Sequence, residues 1–206
     1  MKSLGLDSLP FNWFDVTVVI LLIVGVLRGR KRGMSQEFLD VTKWIAIVFA
    51  AGFFYQPIGD MLAQNQVFGR LTGYLVAYIC IVFIVLAIFI YVKKGIGGKL
   101  IGSDKFGKAE YPLGMIAGLI RFTCMILVAL AILNARFYSQ AEVDAAIKYQ
   151  NDNYGSNFFP TLEATQTQVF QKSPIGKFIK GNLEMLLIKP TAPEHKEFKQ
   201  KEFQIP

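Results

Sequence analysis

The 206 residues are 53% hydrophobic and only 18% charged, which leaves too little polar surface to cover a soluble domain of this size. The formal charge of +7 comes from lysines and arginines placed mostly at the ends of apolar runs, where they anchor helices and set topology. Without the aromatic interleaving that base stacking needs, this charge excludes nucleic acid as a partner and leaves the lipid bilayer as the solvent.

In chain order, the first apolar run is Phe14 to Leu27. It is short for a span of about 20 residues unless Pro10 to Trp13 and the following arginines count as interfacial flanks. A secretory signal would carry its basic residues before the apolar core, and here they follow it, with no small-residue cleavage site beyond. The second run, Val41 to Tyr55, has Lys43 and Trp44 near one end as a snorkelling lysine and an interfacial indole, and Pro57 and Gly59 are expected to end its helix. The third, Leu71 to Val92, is uncharged, with Tyr74 and Tyr91 as belt residues. The fourth, Leu113 to Leu133, carries Arg121 well inside, at a cost of roughly 2.5–3.5 kcal/mol for insertion if nothing pairs with it.

The fold class expected is therefore an all-α integral membrane protein with four transmembrane helices, spanning near residues 12–28, 38–56, 71–92 and 113–133 within a membrane domain of residues 1–135. Counting Lys and Arg in the short connections gives the orientation. Arg28, Arg30, Lys31, Arg32 and Lys43 in the first hinge, with Lys93, Lys94, Lys99, Lys105 and Lys108 in the third connection, face only Lys2 and Arg70 on the other side. Both basic connections are expected in the cytoplasm, and the N- and C-termini outside. Residues 136–189 then form an extracytoplasmic helical segment. Ser139 with Glu142 three later predicts a capped short helix through Tyr149. From Thr161 to Ile188 the apolar spacing predicts an amphipathic helix, broken at Ser173-Pro174, that lies on the outer surface or packs on the bundle. Residues 190–206, which include His195, read as a disordered tail.

Two glycine pairs, Gly25 with Gly29 and Gly114 with Gly118, fall at the same predicted depth. They clear strips on which helices one and four can cross, or through which two copies can associate. Arg121 lies roughly 12 Å above the start of its helix, close in depth to Glu37 and Asp40, so it either pairs with one of them or snorkels to headgroups. Asp15 sits at the other end of the membrane, where a carboxylate favours the start of helix one over a proton-relay role. Asp104 is expected to order the glycine-rich connection Gly95 to Gly107, which lacks the ending of a phosphate-binding loop. One tail histidine, no metal spacing and no nucleophile elbow point to no enzyme, no cofactor and no metal site.

The order Trp13-x-Asp15, an apolar run, Gly25-x-x-Arg28-Gly29, then Gly33 and Glu37 opening a second helix, resembles the start of the bacterial colicin V production protein family (CvpA). Asp104 followed by Leu113-Gly114-x-x-x-Gly118-x-x-Arg121 is similar to that family's second signature. The chain departs from it with Lys105 in place of arginine, extra residues from Phe106 to Pro112, and Phe122 where glycine is usual. The resemblance covers roughly residues 10 to 135. It implies an inner-membrane accessory or scaffold with a part in colicin V production or export and in envelope homeostasis, and with an envelope or export protein as partner. The same unit also resembles the membrane anchor of certain actinobacterial periplasmic serine proteases, which implies a regulator or anchor of a protease. Arg121 motivates a separate reading, a channel or transporter subunit that would have to be a homo-oligomer.

Overall fold

The computed structural model describes residues 12–64, 68–101, 107–155 and 161–193. Asp104, His195 and most of the expected tail lie outside these residues. The described helices are α1 (Trp13–Arg32), α2 (Met34–Gln64), α3 (Arg70–Ile101), α4 (Glu110–Asn134), α5 (Gln140–Tyr154), α6 (Leu162–Thr167) and α7 (Pro174–Asn182), with a π-turn at Gln168–Lys172 and a 3-10 turn at Glu184–Leu186. Among the described residues there is no strand; a single isolated bridge pairs Arg136 with Thr191.

The helices α2, α3 and α4 are long and apolar enough to cross a membrane. Any 18-residue stretch of α1, in contrast, takes in Asp15, Arg28 and Arg30. Length and composition thus account for three of the four expected spans. Outward-facing Val19, Ile23, Phe49, Phe53, Phe83, Ile88, Ile116 and Ile120 give the bundle the apolar exterior that lipid requires.

Packing does not follow chain order. The main contacts pair α1 with α4, α4 with α2, and α2 with α3, so α4 fills the space between the consecutive helices α1 and α2. The core between them holds Ile47, Val48, Ala51, Tyr78, Leu127, Leu130 and Ala131. Tyr55 meets Tyr74 edge-on at 5.6 Å between ring centroids and adds an aromatic contact between α2 and α3.

The expected stop at Pro57 and Gly59 is overturned, since α2 runs on to Gln64. Pro57 removes one amide donor, a loss that a helix supported by its neighbours tolerates. Gly59 is a contact point instead: a Cβ there would run into the Tyr74 ring, and one on Gly73 would lie 2.8 Å from the Gly59 carbonyl oxygen. Likewise α3 continues through Gly95 to Ile101, so the glycine-rich stretch is helical over its first part. At 31 residues α2 is about 46 Å long, more than the hydrocarbon core needs. Its far end is polar, with Gln56, Asp60, Gln64 and Arg70 around a cleft in which the Tyr74 hydroxyl donates to Asp60 at 2.7 Å.

Of the segment after α4, the part from Thr161 on packs on the bundle, whereas α5 is largely exposed. Ser139 and Glu142 form the capping box that starts α5, which extends past Tyr149 to Tyr154. Leu187 and Ile188 are fully buried, the Leu186 backbone lies against Gly52 of α2, and the Lys189 amide donates to the Tyr55 hydroxyl at 3.1 Å. Thr191 falls in the stretch read as tail, yet its amide donates to the Ala135 carbonyl at 2.9 Å and its carbonyl accepts from Phe137 at 3.0 Å.

Candidate functional site

Three polar constructions sit inside this apolar bundle. The first is an ion cluster at the basic end. α2 begins immediately after the α1–α2 hinge, so Glu37 and Asp40 lie in its first two turns, and α4 brings Arg121 to the same level. Arg121 Nη1 donates to Glu37 Oε2 at 2.6 Å and lies 3.8 Å from Asp40 Oδ2. Arg32, the last residue of α1, places Nη1 3.5 Å from Glu37 Oε1 and 3.5 Å from Asp40 Oδ2. Lys43 approaches Asp40 at 3.2 Å and Lys93 of α3 at 3.5 Å. Asp40 therefore faces a cation from each of α1, α2, α3 and α4. Glu37 is completely buried and Arg121 is 7% exposed, so neither has an alternative partner in bulk water. Of the two readings of Arg121, the paired one describes this geometry, and Lys43 joins the cluster instead of simply snorkelling. The Arg121 guanidinium also lies 5.2 Å from the centre of the Phe122 ring.

The second construction is the hinge. Gly33 is the one residue between α1 and α2 and has φ of 75°, in the region that favours glycine. A glycine offers no side chain to cap α2, and the acceptor comes from α4. Glu110 takes the Ser35 amide at 2.6 Å and the Ser35 hydroxyl at 3.0 Å. A carboxylate at this helix start also meets the positive end of the dipole. Next to the hinge, α1 and α4 touch backbone to backbone. A Cβ on Gly29 would run into the Gly114 carbonyl oxygen, one on Gly118 into that of Gly25, and one on Gly25 would lie 2.9 Å from both the Gly118 oxygen and the Phe122 ring. The two glycine pairs thus face each other within one chain, which is the intramolecular crossing. Arg28, between Gly25 and Gly29 in sequence, points outward and is exposed.

The third construction joins the start of α1 to α7. Asn12 and Asp15 form a capping box at the start of α1, with the Asn12 amide donating to Asp15 Oδ2 at 2.9 Å. The other oxygen, Oδ1, accepts from the Ser173 hydroxyl at 2.5 Å and the Ile175 amide at 3.2 Å. Ser173 in turn caps α7 by accepting from the Gly176 amide at 2.9 Å. One buried carboxylate, 1% exposed, therefore serves the first turns of two helices 158 residues apart. Asn12 reinforces the junction by donating to the backbone and side-chain oxygens of Gln168, each at 2.9 Å.

Sequence reasoning picked out Glu37, Asp40, Arg121, Asp15 and the glycines. It missed Glu110 and Ser173. The signal for Glu110 was the bare Gly33 start of α2, whose free amides require an acceptor from elsewhere. The signal for Ser173 was the Ser-Pro pair opening an amphipathic turn, a helix start rather than only a break.

The ion cluster, the hinge and the glycine crossing fall within residues 14–166, the stretch over which the chain matches the family described as colicin V production protein, whereas Ser173 lies beyond it. The chain is also similar to the uncharacterized transmembrane protein YshB of Bacillus subtilis (strain 168), at 29% identity over 137 residues, covering 58% of this chain and 77% of that protein. No solved structure matches it. With the family matched over most of its length, this membrane protein belongs to the colicin V production protein family.

Proposed function

We propose that the chain is an accessory or scaffold protein of the bacterial inner membrane, without chemistry of its own, that holds a preformed outer surface against an envelope or export partner. The observation that carries this reading is the Asp15–Ser173 junction, which ties the segment after α4 rigidly to the start of α1. On that segment Leu162, Phe178 and Met185 stand 65%, 64% and 62% exposed, apolar side chains that a protein partner could cover. The family name, colicin V production, agrees with a supporting part, and a role in envelope homeostasis belongs to this proposal.

The same junction supports a four-span topology. Helices α2, α3 and α4 carry the chain from the hinge to the opposite side. Asp15 can meet Ser173 there only if α1 crosses as well. The exposed Val16, Val19, Ile20, Ile23, Val24 and Leu27 of α1 suit lipid, and its flanking charges sit at headgroup depth. Arg28, Arg30, Lys31, Lys93 and Lys94 gather at the other end, which is the cytoplasmic side by charge, leaving both termini outside.

A second reading, an oligomeric channel or transporter subunit, is favoured by the charged residues inside the bundle. Arg121, Glu37 and Asp40 are engaged with one another, however, and the glycine strips with α1 and α4 of the same chain, so a pore needs a further interface. The native mass of the complex, extracted directly into nanodiscs with its components identified, separates the two. The scaffold reading predicts a stoichiometric second polypeptide, of which a periplasmic protease would be one instance. A homo-oligomer alone that conducts ions in liposomes, with flux abolished by Arg121→Leu, overturns it.

A further inference from the structure

We infer that the inner end of α1 binds an anionic glycerophospholipid. Val24, Leu27, Arg28, Lys31 and Arg32 share one helix face, because residues three and four apart lie one above the other, and with Gln36 of α2 they line a groove. The groove changes character along the helix axis. Val24 and Leu27, 43% and 60% exposed, lie one to two turns deeper and present only carbon. Arg28, Lys31 and Arg32 follow at its rim. An acyl chain fits against the first pair and a phosphodiester among the three cations, with the Gln36 amide in reach as a further donor.

The charge around the groove needs such a ligand. Within the ion cluster Arg32, Arg121, Lys43 and Lys93 face the two carboxylates of Glu37 and Asp40, so cations are already in excess. Arg28 and Lys31 add to it, and neither has an ion-pair partner among the described residues. Arg32 is also held loosely: it stands 3.5 Å from both carboxylates with its side chain 36% exposed, whereas Arg121 supplies the short bond to Glu37. A phosphate therefore gains Arg32 without stripping Glu37 of its partner. Because Arg32 directly precedes Gly33, a lipid bound there braces the junction of α1 and α2.

Free phosphate and a lipid headgroup share this chemistry, and the apolar half of the groove commits the site to the lipid. Protein purified in a neutral detergent is titrated with phosphatidylglycerol, phosphatidylethanolamine or inorganic phosphate, and adducts are counted by native mass spectrometry. Phosphatidylglycerol should saturate at low stoichiometry and bind more tightly than phosphatidylethanolamine. With each basic residue worth about fivefold in attraction, Arg28→Gln with Lys31→Gln should weaken it about thirtyfold. Lys148→Gln with Lys177→Gln removes the same charge from the outer segment and should leave binding unchanged. Gln36→Glu, which alters the facing wall and leaves α1 intact, should weaken it too, so the inference does not depend on one variant folding. Equal losses in the two double variants, or inorganic phosphate binding as tightly as the lipid, would overturn it.

Discussion

Arg121 is an expensive residue made useful by position. Alone at its depth it would cost insertion energy; against Glu37 it becomes one half of a buried pair whose breakage is costlier than its absence. Arg121→Leu leaves Glu37 buried with only the distant Arg32, and should destabilise the bundle by about 3–5 kcal/mol in denaturation from detergent. Glu37→Leu added to it should cost much less than a second such penalty. Full additivity in that double-mutant cycle would mean the two side chains act independently. Depth alone narrows the partners in the sequence to Glu37 or Asp40, with snorkelling as the alternative: Glu37 and Asp40 open one helix, and Arg121 lies within a few turns of the start of another. Glu110 was legible only in part: the bare Gly33 start calls for an acceptor, but no local pattern reveals that it comes from a carboxylate 75 residues away. Nothing near Asp15 pointed to Ser173 for the same reason, although its role at the start of α1 could be read directly.

Between elements, the close crossing of α1 and α4 is set by what the glycines omit. Gly29→Ala should destabilise the bundle by about 1–3 kcal/mol, because the added methyl meets the Gly114 carbonyl and neither backbone can retreat without disturbing the hinge. Gly95→Ala, with nothing within 4 Å, should instead be neutral or gain up to about 1 kcal/mol from helix propensity. Equal effects at the two sites would contradict the crossing. The segment after α4 depends on a smaller set of bonds. Ser173→Ala removes one bond to Asp15 and one cap of α7, worth about 1–3 kcal/mol together, so amides of α6 and α7 should exchange at least about fivefold faster while those of α2 and α3 do not. Exchange unchanged throughout would show that Leu187 and Ile188 hold the segment alone. The spacing of small residues made the crossing readable from sequence. The length of α2 was not, because Pro57 stops helices in water, whereas between α3 and α4 the loss of one donor is outweighed by packing on both sides.

For the whole molecule, the order α1, α4, α2, α3 lets one helix, α4, carry both the pairing arginine and the cap of the hinge. Apolar runs and basic connections disclosed the membrane class and the broad layout. They could not disclose which helices touch, since every lipid-facing helix has the same composition on its outer side. That arrangement, with the outer segment fastened to α1, requires Asp15 and Ser173 on one side of the membrane. Labelling of single cysteines with an impermeant maleimide, in a chain where Cys80 and Cys124 are replaced by alanine, tests this most directly. Trp13→Cys and Lys148→Cys should react from outside, while Arg30→Cys and Lys94→Cys should react only after permeabilisation. Labelling of Trp13→Cys together with Arg30→Cys, and apart from Lys148→Cys, would contradict this arrangement, because α1 would not cross and the Asp15–Ser173 junction could not form.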